Sequence, residues 1–154
     1  MSYDMNAFKL PPGEDPATYE PDFDDTPPTP EQRATMERLA AAIAAVDAEA
    51  ERHDDETFIE FAAADAIQVS LYCDQAAISV PYWYEGDQAE AVMARMQAYA
   101  AVLTEVGGYT VWDPQTEEIV TGPGARDVYS AGVDAVKQLA EDPPKRRRWW
   151  QRRP

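Results

Sequence analysis

One histidine and one cysteine, His53 and Cys73, are the only side chains of their kinds in this 154-residue chain, beside 29 aspartates and glutamates. A histidine base or a Cys–His pair would be the simplest route to proton transfer or nucleophilic attack. His53 stands next to Asp54, Asp55 and Glu56, a setting for a helix-capping or solvated imidazole. Cys73 falls on the apolar parity of a predicted strand, where a thiol acts as a small hydrophobe. One His and one Cys do not make a zinc site of the usual kind, and Asp54-Asp55-Glu56 lacks the spacing and glycine of a calcium loop. Asp22, Asp24 and Asp25 lie in a proline-rich stretch and read as a solvated charge run. The segment TGPGAR has no Gly-Lys-Ser/Thr and reads as a turn. Glu117-Glu118 would need a cleft to do acid–base work. The expectation is a protein with no catalytic residue, no metal and no cofactor.

Binding is better represented. In AIQVSLYC, Ile67, Val69, Leu71 and Cys73 alternate with Gln68, Ser70 and Tyr72. In AISVPYWY, Ile78, Val80, Tyr82 and Tyr84 alternate with Ser79, Pro81 and Trp83. The two runs flank a polar break at Asp74-Gln75, which predicts a β-hairpin with one buried face. Tyr72 and Trp83 then point to the other face, and Trp112, alternating with Tyr109 and Val111, joins them. Large aromatics among small polar residues anchor partners, unless another part of the chain or a twin subunit covers them.

The second candidate is the C-terminal decapeptide KRRRWWQRRP. Residues 1–144 hold 29 acidic against 7 basic side chains, a net of −22, while the last ten residues hold six bases and two of the four tryptophans. An acidic body repels nucleic acid and anionic membrane and attracts basic proteins. Lys145, Arg146, Arg147, Arg148, Trp149 and Trp150 therefore read as an element that folds onto an acidic surface, its own or a neighbour's. No apolar run approaches a membrane span, the N-terminus is unlike a secretory signal, and one cysteine fits a reducing compartment. The expected location is the cytoplasm.

These residues must be held by something. The length suits one domain, expected over residues 1–142, with 143–154 as a disordered basic tail. Residues 2–10 predict a short strand. Residues 11–30 carry seven of the thirteen prolines and six acidic residues, predicting an extended arm with Tyr19 and Phe23 as anchors. Thr29-Pro30-Glu31-Gln32 is a capping box with proline at the first helical position. Met36, Leu39, Ile43 and Val46 follow as one apolar stripe, and the helix is expected to stop near Arg52-His53. Residues 57–62 predict a strand ahead of the hairpin, in which Pro81 marks an edge strand or a strand end. Asp87-Gln88-Ala89-Glu90 predicts a second capping box, with Val92, Met96, Tyr99, Leu103 and Val106 facing inward and Gly107-Gly108 as the stop. YTVWD predicts a strand, Asp113–Thr116 a turn and EEIVTG its partner. A third helix is expected over residues 126–141, facing inward through Val128, Val136 and Leu139. The order predicts an α+β fold: a ferredoxin-like antiparallel sheet with two main helices on one face.

SYD at the start, the VPYW strand and WDPQT together resemble a loose group of small bacterial proteins with an N-terminal SYD strand and a WDPQ-type turn. Some of that group resemble toxin-immunity or accessory proteins. The resemblance covers residues 2 to about 120, transfers no catalytic residue and implies a binding role. The expected function is thus a non-catalytic acidic module, of immunity or inhibitor type, that engages a basic protein partner. The alternatives are a regulatory or adaptor subunit that self-associates through its tail, and a DNA-mimic inhibitor. Direct nucleic-acid binding is not expected.

Overall fold

In the computed structural model, which describes residues 1–22, 26–121, 133, 134, 137 and 138, the chain runs β1 (Ser2–Phe8), α1 (Pro30–Val46), β2 (Glu51–Asp54), β3 (Ile59–Ala62), β4 (Gln68–Tyr72), β5 (Gln75–Pro81), α2 (Gly86–Glu105), β6 (Thr110–Asp113) and β7 (Glu118–Ile119). The fold is α+β. The strands form one sheet in the order β2-β3-β4-β5-β1-β6-β7, antiparallel at every pairing.

Period-two alternation decides which face is buried. Tyr3, Met5 and Ala7 of β1, Ile59 and Phe61 of β3, Val69 and Leu71 of β4, Ala76, Ile78 and Val80 of β5, and Val111 of β6 are buried in one core. Both helices close that side. Met36, Leu39, Ala40 and Ile43 come from α1, and Val92, Met93, Met96, Tyr99 and Leu103 from α2. Each fully buried aliphatic side chain contributes about 1.5–3 kcal/mol.

Helix α1 begins as its sequence dictates. The Gln32 N–H donates to Thr29 Oγ1 at 3.2 Å, and the Thr29 N–H donates to Gln32 Oε1 at 2.9 Å. It ends earlier than expected. Asp47 terminates it, leaving Val46 40% exposed rather than in the stripe, and Arg52-His53 lies on β2, where Arg52 opposes Phe61 and His53 opposes Glu60. All four β2 side chains are exposed, so no apolar alternation announces this strand. Arg52 pairs with Asp54 of the same strand and with Glu37, and the second pairing ties the sheet edge to α1.

Helix α2 starts at Gly86, one residue before the expected cap. Glu85 makes no side-chain cap bond, and Gly86 at φ 53° turns the extended chain into the helix. Asp87 is therefore inside the first turn, where its charge suits the helix N-terminus, and the Asp87–Glu90 capping box does not form. At the other end Gly108 (φ 67°) donates to the Thr104 carbonyl at 3.1 Å as an αL cap. Val106, expected inward, is 41% exposed.

The hairpin forms with Ile67, Val69, Leu71, Ile78 and Val80 buried as predicted, while Tyr82 and Tyr84, also expected inward, lie past the end of β5 and are half-buried; its turn is Cys73-Asp74, because Tyr72 pairs with Gln75. Asp74 takes φ 56°, which aspartate tolerates. Cys73 is consequently half-buried in a turn, not on the apolar face of β4. Pro81 ends β5, which is flanked by β4 and β1 and is not an edge. The predicted β6–β7 hairpin is present, with Trp112 opposite Ile119. Val133, Asp134, Lys137 and Gln138 have helical backbone, and Val133 joins the core. The rest of the expected third helix, including Val128, Val136 and Leu139, lies outside the described residues, as do Phe23 and the tail.

Two short motifs that looked unrelated in sequence meet in space. Tyr3 of SYD donates its hydroxyl to Asp113 of WDPQT. Asp113 is 1% exposed and also accepts the N–H groups of Gln115 at 2.9 Å and Thr116 at 3.3 Å. Burial, reinforced by the Asp113 hydrogen bond and charge, pushes the Tyr3 hydroxyl well above the usual tyrosine range. These motifs lock β1 to the β6–β7 turn.

Candidate functional site

The face opposite the helices carries a row of side chains set by register: His53, Glu60, Ser70, Ala77, Asn6, Trp112 and Ile119. It is polar and half-solvated at its centre, with Ser70 donating to Glu60 at 3.3 Å. His53 is exposed here, so it is solvated as expected, although on a strand rather than at a helix end. Cys73 lies beyond the end of β4. Among the described residues no group of three His, Cys, Asp or Glu side chains comes together as a metal site would need.

The three aromatics expected on this face separate into two places. Tyr72 and Trp112 are half-buried and line one depression of about 460 Å³, together with Pro16 and Pro21 of the arm. The arm thus crosses the sheet at this end. Phe8 shows the consequence: its parity matches Ser2, Asp4 and Asn6 on the open face, yet it is 5% exposed, because Tyr19 packs on it with ring centroids 5.2 Å apart. Tyr72 packs in turn on Phe58 at 6.0 Å.

Trp83 is elsewhere. It follows the end of β5 in a turn, with its N–H donating to the Pro81 carbonyl at 2.9 Å. Six residue steps separate Pro81 from Gln75, about 20 Å of strand. Its neighbours are both fastened. The Tyr82 ring meets Tyr3 edge-on at 6.2 Å and 75°, and the Tyr84 hydroxyl donates to the Asp65 carbonyl. Burial, followed by the Asp65 charge, raises the Tyr84 hydroxyl above its ordinary value. Between these two anchored rings Trp83 remains 71% exposed. Ser2 pairs with Pro81, so Met1, 77% exposed, leaves the sheet at the same end. Glu85 and Asp87 follow Trp83 within four residues of chain, and Glu85 is ion-paired to Lys137.

Lys145, Arg146, Arg147, Arg148, Trp149 and Trp150 lie outside the described residues. Tyr19 anchors the arm, as expected, but sequence reasoning missed Phe8, on which it packs, and Phe58. The available signal was Phe8 itself, an aromatic on the polar parity of β1 just before a proline-rich arm. No protein family, no curated protein and no solved structure matches the chain. No described helix is long and apolar enough to cross a membrane.

Proposed function

We propose that this chain is a non-catalytic binding module that engages a basic protein partner, as an immunity or inhibitor protein does, in the cytoplasm. The observation that carries the reading is Trp83. A tryptophan held on a turn between two fastened tyrosines and largely open to water is pre-organised as a contact anchor. The chain's formal net charge of −16 speeds encounter with a basic surface. This moves the binding centre from the middle of the sheet face to the end where β1 begins and β5 finishes.

The same reading takes β1, β4, β5 and β6 with α1 and α2 as a ferredoxin-like core. Supporting it are the strand order β4-β5-β1-β6 and the helices falling after β1 and after β5. The β2–β3 hairpin is then an insertion and β7 an extension. The helical backbone at Val133, Asp134, Lys137 and Gln138 supports a third helix.

The test is capture from the native host's lysate with the full chain and with Trp83→Ala as baits. A basic protein retained near one-to-one by the wild type, released by salt and lost on Trp83→Ala, is the expected result. Such an anchor is worth about 2–4 kcal/mol on truncation. Equal retention by both baits sinks the Trp83 reading.

A further inference from the structure

The depression of about 460 Å³ on the open sheet face is lined by the rings of Tyr72, Trp112, Pro16 and Pro21. Asn6 and Ala77, paired across β1 and β5, also line it, and their short side chains keep the floor low between the rings. No charged side chain lines it, but the chain beside the lining residues is acidic. Asp15 precedes Pro16, Glu20 lies between Tyr19 and Pro21, and Asp22 follows Pro21, all three exposed. Asp4 stands two residues along β1 from Asn6, about 7 Å away on the same face. None of these four carboxylates is ion-paired with a described base, whereas Lys9, next to Phe8, is 2.8 Å from Asp74. An apolar hollow inside a rim of carboxylates fits a segment that brings aromatic rings and bases together.

The chain carries such a segment in its tail: Arg146, Arg147 and Arg148, then Trp149-Trp150, then Gln151, Arg152 and Arg153. Indoles pack well on tyrosine, tryptophan and proline rings, and guanidinium groups on both sides of them suit carboxylates on both sides of the hollow. The starting point of the tail argues for a second copy as its host. Lys137 is ion-paired with Glu85, past the end of β5 where Trp83 sits, while the depression lies toward the other end, at Gln75–Ala77. A chain's own tail would have to round the Trp83 turn and run back along most of β5; a neighbour's tail approaches directly. The two bodies repel, since residues 1–144 carry a net −22, but that repulsion is screened beyond about 8 Å at physiological salt and the tail acts in contact. We infer that the tail of one copy seats Trp149-Trp150 in the depression of a second copy, and that the exchange is reciprocal. Reciprocity closes the pair as a two-fold dimer, and the second contact forms at the effective concentration that the first supplies. Neither contact uses Trp83, so this inference goes beyond the Trp83 reading and stands or falls separately from it.

Sedimentation equilibrium of the full chain tests this. The weight-average mass of the wild type should rise from one copy toward two between about 1 and 300 μM. W149A/W150A removes the rings and should weaken association at least about tenfold. Ala77→Arg fills the floor of the depression with bulk and like charge and should weaken it as much. E20K/D22K changes only exposed side chains of the arm, so it keeps the test decisive if Ala77→Arg fails to fold; it should weaken association severalfold. Trp83→Ala should associate as the wild type does. Mixing Ala77→Arg, which keeps its tail, with W149A/W150A, which keeps its depression, should restore one contact and associate about tenfold more tightly than either alone. A one-copy mass at every concentration overturns the inference, and it is also the result for a tail seated in its own chain. A dimer unchanged in W149A/W150A overturns it as well. So does a dimer lost in W149A/W150A but unchanged in both Ala77→Arg and E20K/D22K, because the tail then docks elsewhere.

Discussion

Asp113 and Asp54 sit toward opposite edges of one sheet, and each accepts several hydrogen bonds. Asp113 is 1% exposed, and its donors are neutral: the Tyr3 hydroxyl and the N–H groups of Gln115 and Thr116. Asp54 has a side chain 43% exposed, and its donors are charged: Arg52 at 2.8 Å and Arg33 at 2.9 Å. By nominal charge Asp54 has the stronger partners. By environment Asp113 has the greater consequence, because water replaces a lost partner at Asp54 and cannot do so at Asp113. The difference teaches that accessibility, more than partner charge, decides what a polar contact is worth here.

The largest expected effect is at the buried end. Asp113→Ala removes the acceptor from Tyr3 and from two turn N–H groups together, and should cost about 3–4 kcal/mol in urea unfolding. Tyr3→Phe should cost less, about 1–3 kcal/mol, since it removes one donor from a carboxylate that keeps two. It also alters the alkaline limb. The folded Tyr3 hydroxyl titrates above its unfolded value, so its contribution is full below the unfolded pKa and is lost as pH rises beyond it. Wild-type stability should therefore fall above about pH 10, by up to ~1.4 kcal/mol per pH unit for each such tyrosine. The limb should be shallower in Tyr3→Phe without disappearing, because burial also pushes Tyr109 up to about 12.

The smallest effect is at the exposed edge. Arg52→Ala should cost at most about 1 kcal/mol, and less in high salt. Asp54 is held below its ordinary pKa, first by the Arg52 hydrogen bond. Its small contribution is present above the unfolded value near 4 and is lost as pH falls through the lowered one. Comparing acid unfolding of wild type and Arg52→Ala reads this out. If Arg52→Ala proves as costly as Tyr3→Phe, the contrast between the two carboxylates is wrong.

Where a rule acts over a few neighbouring residues, the sequence was a sufficient guide. The Thr29–Gln32 box, the inward sets of β4 and β5, the Gly107-Gly108 stop and the β6–β7 hairpin all follow from such rules. The failures have separate causes. β2 has no alternation, because its stability comes from pairing with β3 and from the bridge to Glu37. Trp83 continued an alternating pattern past Pro81, but the strand ended and the parity lost its meaning. Gly86 displaced a cap that Asp87 was equally suited to provide.

The candidate site divides in the same way. Its acidity and its supply of exposed tryptophan were readable from composition and pattern. That Tyr72 and Trp112 share a depression with the arm, while Trp83 stands alone at the other end, required the register of four strands. The sequence by itself determined which residues could face a core and where α1 begins, because those follow from period, cap and backbone preference. Only the tertiary structure decided that Tyr3 meets Asp113, that Tyr19 buries Phe8 and that Trp83 stays open, because each depends on residues brought together from distant parts of the chain.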